Sequence, residues 1–132
     1  MTAKNGNKPW HVDTLELLAS ALDDNEKRIE RLIKEISDLE RAGLANASEW
    51  WKDQKYLYLV YPTQDGQRLR QYIGSDPEDI AKARAKVERY KRWVELHDVL
   101  KHARRNQQSA KTNLDHALWI LKSGQRNLWG EK

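Results

Sequence analysis

The chain has 132 residues, with 24 Lys and Arg against 20 Asp and Glu, for a formal net charge of +4. One third of it is charged, 39% is apolar, and it holds neither cysteine nor phenylalanine. Disulfides and thiolate metal sites are thereby excluded, and no apolar run approaches the ~20 residues that span a bilayer. Near Met1 there is no hydrophobic stretch of the signal-peptide kind, so the expectation is a cytoplasmic protein with no membrane role. The material suffices for one domain with a modest core.

Residues 1–12 read as a flexible tail. Asp13, with Glu16 three positions on, resembles a capping box and predicts a helix over 13–42. Leu15, Leu18, Leu22, Asn25, Ile29, Leu32, Ile36 and Leu39 recur at alternating steps of three and four. That is the a/d seam of a coiled coil, and an asparagine inside such a seam lowers stability but fixes register. Ala42-Gly43 closes the helix, since glycine suits the position just past a C-terminus. This arm carries nine acidic and five basic side chains.

Residues 55–74 predict a β-hairpin. Tyr56-Leu57-Tyr58-Leu59-Val60-Tyr61 is a strand by composition, Pro62–Gln67 is a turn centred on Asp65-Gly66, and Arg68–Gly74 is the return strand. Side chains alternate along a strand, so Leu57, Leu59, Leu69 and Ile73 are expected on one side. Tyr56, Tyr58, Arg68, Arg70 and Tyr72 are then expected on the other. Trp50-Trp51, just before the hairpin, read either as a plug beneath it or as part of a contact surface, with the plug favoured.

Ser75-Asp76-Pro77-Glu78-Asp79 is a helix start, with Asp76 as N-cap, proline at the first helical position and two acids facing the dipole. The second helix is expected over 77–122, with an exposed stretch or a break near 106–109, and 123–132 as a tail. Ile80, Ala83, Val87, Tyr90, Val94 and His97 form one seam. Leu96, Leu100, Ala103, Gln107, Ala110, Leu114, Ala117 and Leu121 form a second in shifted phase, and such a slip changes local winding. Residues 80–105 hold nine basic and three acidic groups, opposite in sign to the first arm. The two arms can neutralise each other, and the surplus favours a polyanionic partner.

The expected fold class is mainly α with a small β-hairpin. Two long antiparallel helical, coiled-coil arms are joined by the hairpin and carry a C-terminal helical extension, the whole forming a single domain over 13–122. A two-helix seam buries little surface and an isolated hairpin is marginal, which leaves homodimerisation open.

No glycine-rich phosphate loop, nucleophile elbow or metalloprotease helix motif is present. His97 and His102 are five apart, not the four that would share a helical face. No catalytic residues, metal site or cofactor is therefore expected. The hairpin carries more. Lys and Arg hold phosphates, aromatic faces take unstacked bases, and a two-stranded ribbon enters the major groove. Tyr56, Tyr58, Arg68, Arg70 and Tyr72 combine these groups, and Lys82, Lys86 and Arg89 continue them as one helical stripe. The bland alternative is that tyrosine simply favours strands and that the arginines pair with Asp53 or Asp65.

The strings Tyr-Leu-Tyr-Leu-Val-Tyr, Asp-Gly-Gln-Arg-Leu-Arg-Gln-Tyr-Ile-Gly and Asp-Pro-Glu-Asp-Ile-Ala-Lys-Ala-Arg, within residues 55–90, resemble the arm-type DNA-binding module of phage-type tyrosine integrases. The resemblance implies a sheet lying in the major groove of DNA, with contacts from Arg68, Arg70, Tyr58 and Tyr72. The leading expectation is thus a non-enzymatic nucleic-acid-binding protein, DNA first, from a phage or mobile element. The alternative is an interaction module or small inhibitor that docks on a host protein complex through its coiled coil and aromatic hairpin.

Overall fold

In the computed structural model, residues 8–128 are described, with side chains described as far as Ser123. Helix α1 spans Trp10–Ala42, three residues earlier than the capping-box pattern suggests. Nothing between Pro9 and Asp13 breaks a helix, and the Pro9 carbonyl accepts from the Val12 N–H at 3.1 Å. Asp13 therefore sits inside the first turn, where its charge complements the dipole. Lys8 bridges it at 3.6 Å and Glu16 at 2.6 Å. At the other end Gly43, at φ +105°, returns its N–H to the carbonyls of Leu39 and Glu40, the left-handed helix end that glycine adopts without strain.

Three strands follow, not two: β1 Ser48–Lys52, β2 Tyr56–Val60 and β3 Arg70–Gly74, antiparallel in the order β1-β2-β3. β1 pairs Trp50 with Tyr58 and Trp51 with Leu57. Its turn into β2 places Asp53 and Gln54 at φ 54° and 55°, so the turn forms without the glycine that would announce it. Asp65 and Gly66, at φ 52° and 77°, make the expected tight turn, closed by reciprocal bonds between Gln64 and Gln67. Arg68 and Leu69 lie outside β3, and Leu69 is 59% exposed instead of joining the apolar side. The hairpin pairing loosens into a loop here, although the Tyr61 N–H still donates to the Leu69 carbonyl at 2.9 Å. A bulge sets Leu57 opposite Gly74 but Tyr58 opposite Tyr72.

Helix α2 runs Pro77–Leu128, 52 residues, without a break near 106–109 and through Ser123-Gly124. Arg104 to Ser109 are polar but contain no helix breaker, so a polar stretch stays helical. The Asp76 carboxylate accepts from the Glu78 N–H at 3.2 Å, and the Asp76 carbonyl from Ile80 at 3.0 Å, as a cap should.

The single expected domain divides by contacts into two compact units: residues to Arg31 with those from Leu100, and Leu32–Val99. In the Leu32–Val99 unit the core consists of Ala45, Leu57, Leu59, Ala83 and Val87, with Ala47, Trp51, Tyr61, Ile73 and Ile80 packed against it. The inner face of the sheet thus rests on the start of α2. The end of α1 runs antiparallel to the same helix, joined by Arg92–Glu35 at 3.2 Å and by the Trp93 indole donating to Glu40 at 3.1 Å. Leu32, Ile36 and Leu96 are buried, whereas Val94 and His97, expected in the seam, are exposed. In the other unit the Asn25 amide donates to the Ala103 carbonyl at 3.0 Å and to the Gln107 side chain at 2.7 Å. The seam asparagine therefore has a polar partner across it. Leu15, Ala117 and Leu121 lie at seam positions yet are exposed.

Candidate nucleic-acid interface

Sheet pairing decides which side chains share the outer face. Because Leu57 and Leu59 point into the core, Tyr56, Tyr58 and Val60 of β2 point away from it, with Ser48, Trp50 and Lys52 of β1 and Arg70 and Tyr72 of β3 alongside. Trp50, Tyr58 and Tyr72 form a row across the strands. Ring centroids lie 5.1 Å apart for Trp50–Tyr58 and 5.0 Å for Tyr58–Tyr72, tilted near 60°. Trp50 is 41% and Tyr72 58% exposed. The Tyr72 ring folds over the backbone of Gly74, within 3.7 Å of where a β-carbon would stand. A β-carbon would meet the ring only in ordinary contact, so it is the backbone, at φ +108°, that calls for glycine here.

The Arg70 guanidinium lies over the Trp50 ring, 5.2 Å from its centroid, and the Lys55 ammonium sits 5.4 Å from the centroid of Tyr56. Cation–π contact orients a guanidinium face-on while its edge donors stay available. Lys52, Asp53, Tyr56, Tyr58 and Tyr72 line a shallow depression of about 290 Å³. Among the described residues neither Arg68 nor Arg70 forms an ion pair with Asp53, Asp65 or any other carboxylate.

The remaining residues singled out from the sequence separate. Arg68 lines a different open cleft with Asn46, Ser48, Val60 and Tyr61. Lys82 and Lys86 line a groove with Gln71, Tyr72 and Ile73, so they do adjoin the sheet. Arg89 is occupied: its Nε donates to the Gly43 carbonyl at 2.7 Å and its Nη2 to the Ala42 carbonyl at 3.1 Å. It caps the C-terminus of α1, where a cation meets both unsatisfied carbonyls and the negative end of the dipole.

The Trp50-Trp51 pair divides. Trp51 goes inward against the core as the favoured plug, and its indole donates to Glu49 at 3.1 Å. Arg84 grips the same carboxylate through two nitrogens at 2.9 and 3.1 Å and stacks on Trp51, tying β1 to α2. Hydrogen bonding from Arg84 holds the Glu49 carboxyl below the usual glutamate range. Trp50 goes outward and joins the contact surface, the less favoured of the two alternatives for the pair. Two adjacent tryptophans in a strand must face opposite sides, and that was the available signal. Recognising it needed the strand, whose turn is glycine-free.

No group of three or more His, Asp or Glu side chains able to hold a metal gathers among the described residues. No described helix is long and apolar enough to cross a membrane. No family model, curated protein or solved structure matches this chain.

Proposed function

We propose that this chain is a non-enzymatic DNA-binding protein of the cytoplasm that contacts nucleic acid through the outer face of its sheet. One observation carries the reading. Trp50, Tyr58 and Tyr72 form an aromatic row on the outer face, exposed at Trp50 and Tyr72 and half-buried at Tyr58. Arg70 stacks on Trp50, and that guanidinium has no carboxylate partner among the described residues. Arg70, oriented by Trp50, offers paired donors of the kind that bind a guanine edge in the major groove. Arg68, Lys82 and Lys86 flank the sheet as phosphate contacts, which supply affinity and position. Tyr56, Tyr58 and Tyr72 give apolar and stacking contact. A phage or mobile-element origin rests on the integrase-module resemblance alone.

Binding to labelled duplex and single-stranded DNA, followed by fluorescence anisotropy across a salt series, tests the proposal. Each lost phosphate contact lowers the salt slope by about 0.9 on duplex DNA. R68A/R70A should weaken binding, relax any preference for the guanine that Arg70 reads, and flatten the slope by about 0.9 for the phosphate contact of Arg68. Equal affinity and slope in the double variant would refute the reading. The same exposed Trp and Tyr side chains are also preferred anchors at protein interfaces, which supports docking on a protein complex as the second reading. That version requires a partner retained at high salt.

A further inference from the structure

We propose that the unit formed by residues to Arg31 and from Leu100 is a homodimerisation module, in which α1 of each copy packs antiparallel on α2 of the other. This does not rest on the DNA-binding reading. In this unit the inner seam uses Leu18, Leu22, Asn25 and Ile29 of α1, and it faces Leu100, Ala103, Gln107, Ala110 and Leu114 of α2. At about 100° per residue, a second stripe of α1 lies a quarter-turn round: Trp10, Thr14, Leu17 and Ala21. On the same side of the helix pair, α2 presents Asn106, Ser109, Asn113, Ala117 and Ile120. Every one of these nine residues is exposed, and none carries a formal charge.

The opposite side of the same two helices is the reverse. Glu16, Asp23, Glu26 and Glu30 line α1 there, and Arg104, Lys111, Asp115 and Lys122 line α2. A chain that is 33% charged therefore keeps one side of this helix pair free of charge over more than three turns of each helix. A helix normally shows one apolar stripe towards a core and charges elsewhere. A second uncharged side at a quarter-turn is the pattern of a helix in a four-helix bundle, which has two neighbours.

Length and register identify the occupant as a second copy. The bonds from Asn25 to Ala103 and Gln107 fix the antiparallel register within the unit. A twofold axis parallel to the helices repeats that register between copies, because both contacts of an isologous interface are equivalent. Trp10 then meets Ile120 of the second copy, Thr14 meets Ala117, Leu17 meets Asn113, and Ala21 meets Ser109. The small pair Ala21 and Ser109 permits close approach, and the bulky pair closes the end. Trp10 and Leu17 are each 73% exposed and Ile120 is 50% exposed. With their smaller neighbours they offer on the order of 700 Å² per chain, close to what one partner contributes to a standard interface. The uncharged register stops at Asp24, so the contact is limited to these turns.

Sedimentation velocity on the intact chain over a concentration series reads the outcome. The wild type is expected to reach twice its 15.6 kDa mass. L17E and N113K each place a charge that is harmless in the exposed monomer but desolvated in the dimer. Each should weaken association by at least about thirtyfold, the effect of losing an interface anchor, with helicity by circular dichroism unchanged. An equimolar mixture of L17E and N113K should recover the dimer, because the carboxylate of one copy then faces the ammonium of the other. A wild type that stays at 15.6 kDa, variants as dimeric as the wild type, or a mixture that fails to recover would each overturn the proposal.

Discussion

Arg89 offers the sharpest separation of a structural role from a binding one. By sequence it continues a basic stripe with Lys82 and Lys86, yet it gives two hydrogen bonds to the final carbonyls of α1, at 2.7 and 3.1 Å. A hydrogen bond with a charged donor contributes about 1.5–3 kcal/mol. Two bonds from one guanidinium fall short of twice that, because the Ala42 carbonyl can rehydrate when the donor leaves. A cation at the negative end of a helix dipole adds about 0.5–1 kcal/mol. R89A should therefore lower unfolding free energy by about 2–3 kcal/mol. R89K keeps the charge but lacks the fork geometry, and should lose about half as much. Urea unfolding should show a reduced midpoint with an unchanged m-value. The salt slope of DNA binding should match the wild type. A stability within about 0.5 kcal/mol of wild type, together with a slope flatter by about 0.9, would show that Arg89 serves nucleic acid and would refute the capping argument.

Three further predictions follow from the packing. Leu57 is fully buried between sheet and helix, so L57A should cost about 2–5 kcal/mol, read as the shift in thermal or urea midpoint; a smaller loss would mean the core is looser than described. The Glu49 carboxyl, held low by Arg84, stabilises the fold above the ordinary glutamate range, and its contribution fades as pH falls through the depressed value. E49Q should thus be less stable than the wild type at neutral pH, by up to about 1 kcal/mol, and equal to it in acid; a gap that widens on acidification would reverse the sign of the argument. N25L leaves the Gln107 amide without its partner and should destabilise by about 1 kcal/mol, whereas N25L/Q107L should recover that loss in a double-mutant cycle.

Local chemistry made much of this fold legible. Asp76-Pro77 starts a helix wherever it stands, Gly43 ends one, Asp65-Gly66 turns a hairpin, and a three-four recurrence of apolar residues marks helix faces. These signals act over a few residues, so they can be read before any tertiary contact is known. The start of α1 was misplaced for a related reason: Asp13 looks like a cap, but no breaker separates it from Pro9. β1 escaped because Asp53 and Gln54 adopt a left-handed turn without glycine, so that strand was visible only once β2 was there to pair with it.

The candidate site was half legible. Alternation in β2 and β3 put Tyr58, Arg70 and Tyr72 on one face from sequence alone. The strand pairing added Trp50 beside them and set Arg70 on its ring. Arg68 left the face because pairing loosens before β3 begins. Arg89 left the set because α1 ends within its reach. Composition and periodicity, in short, determined the helices, the hairpin and the sign of the charges, since those depend on each residue and its near neighbours. Which cations remain available to a ligand was decided only by tertiary contacts, because an arginine's role depends on the carbonyl, carboxylate or ring that folding brings within about 3–5 Å of it.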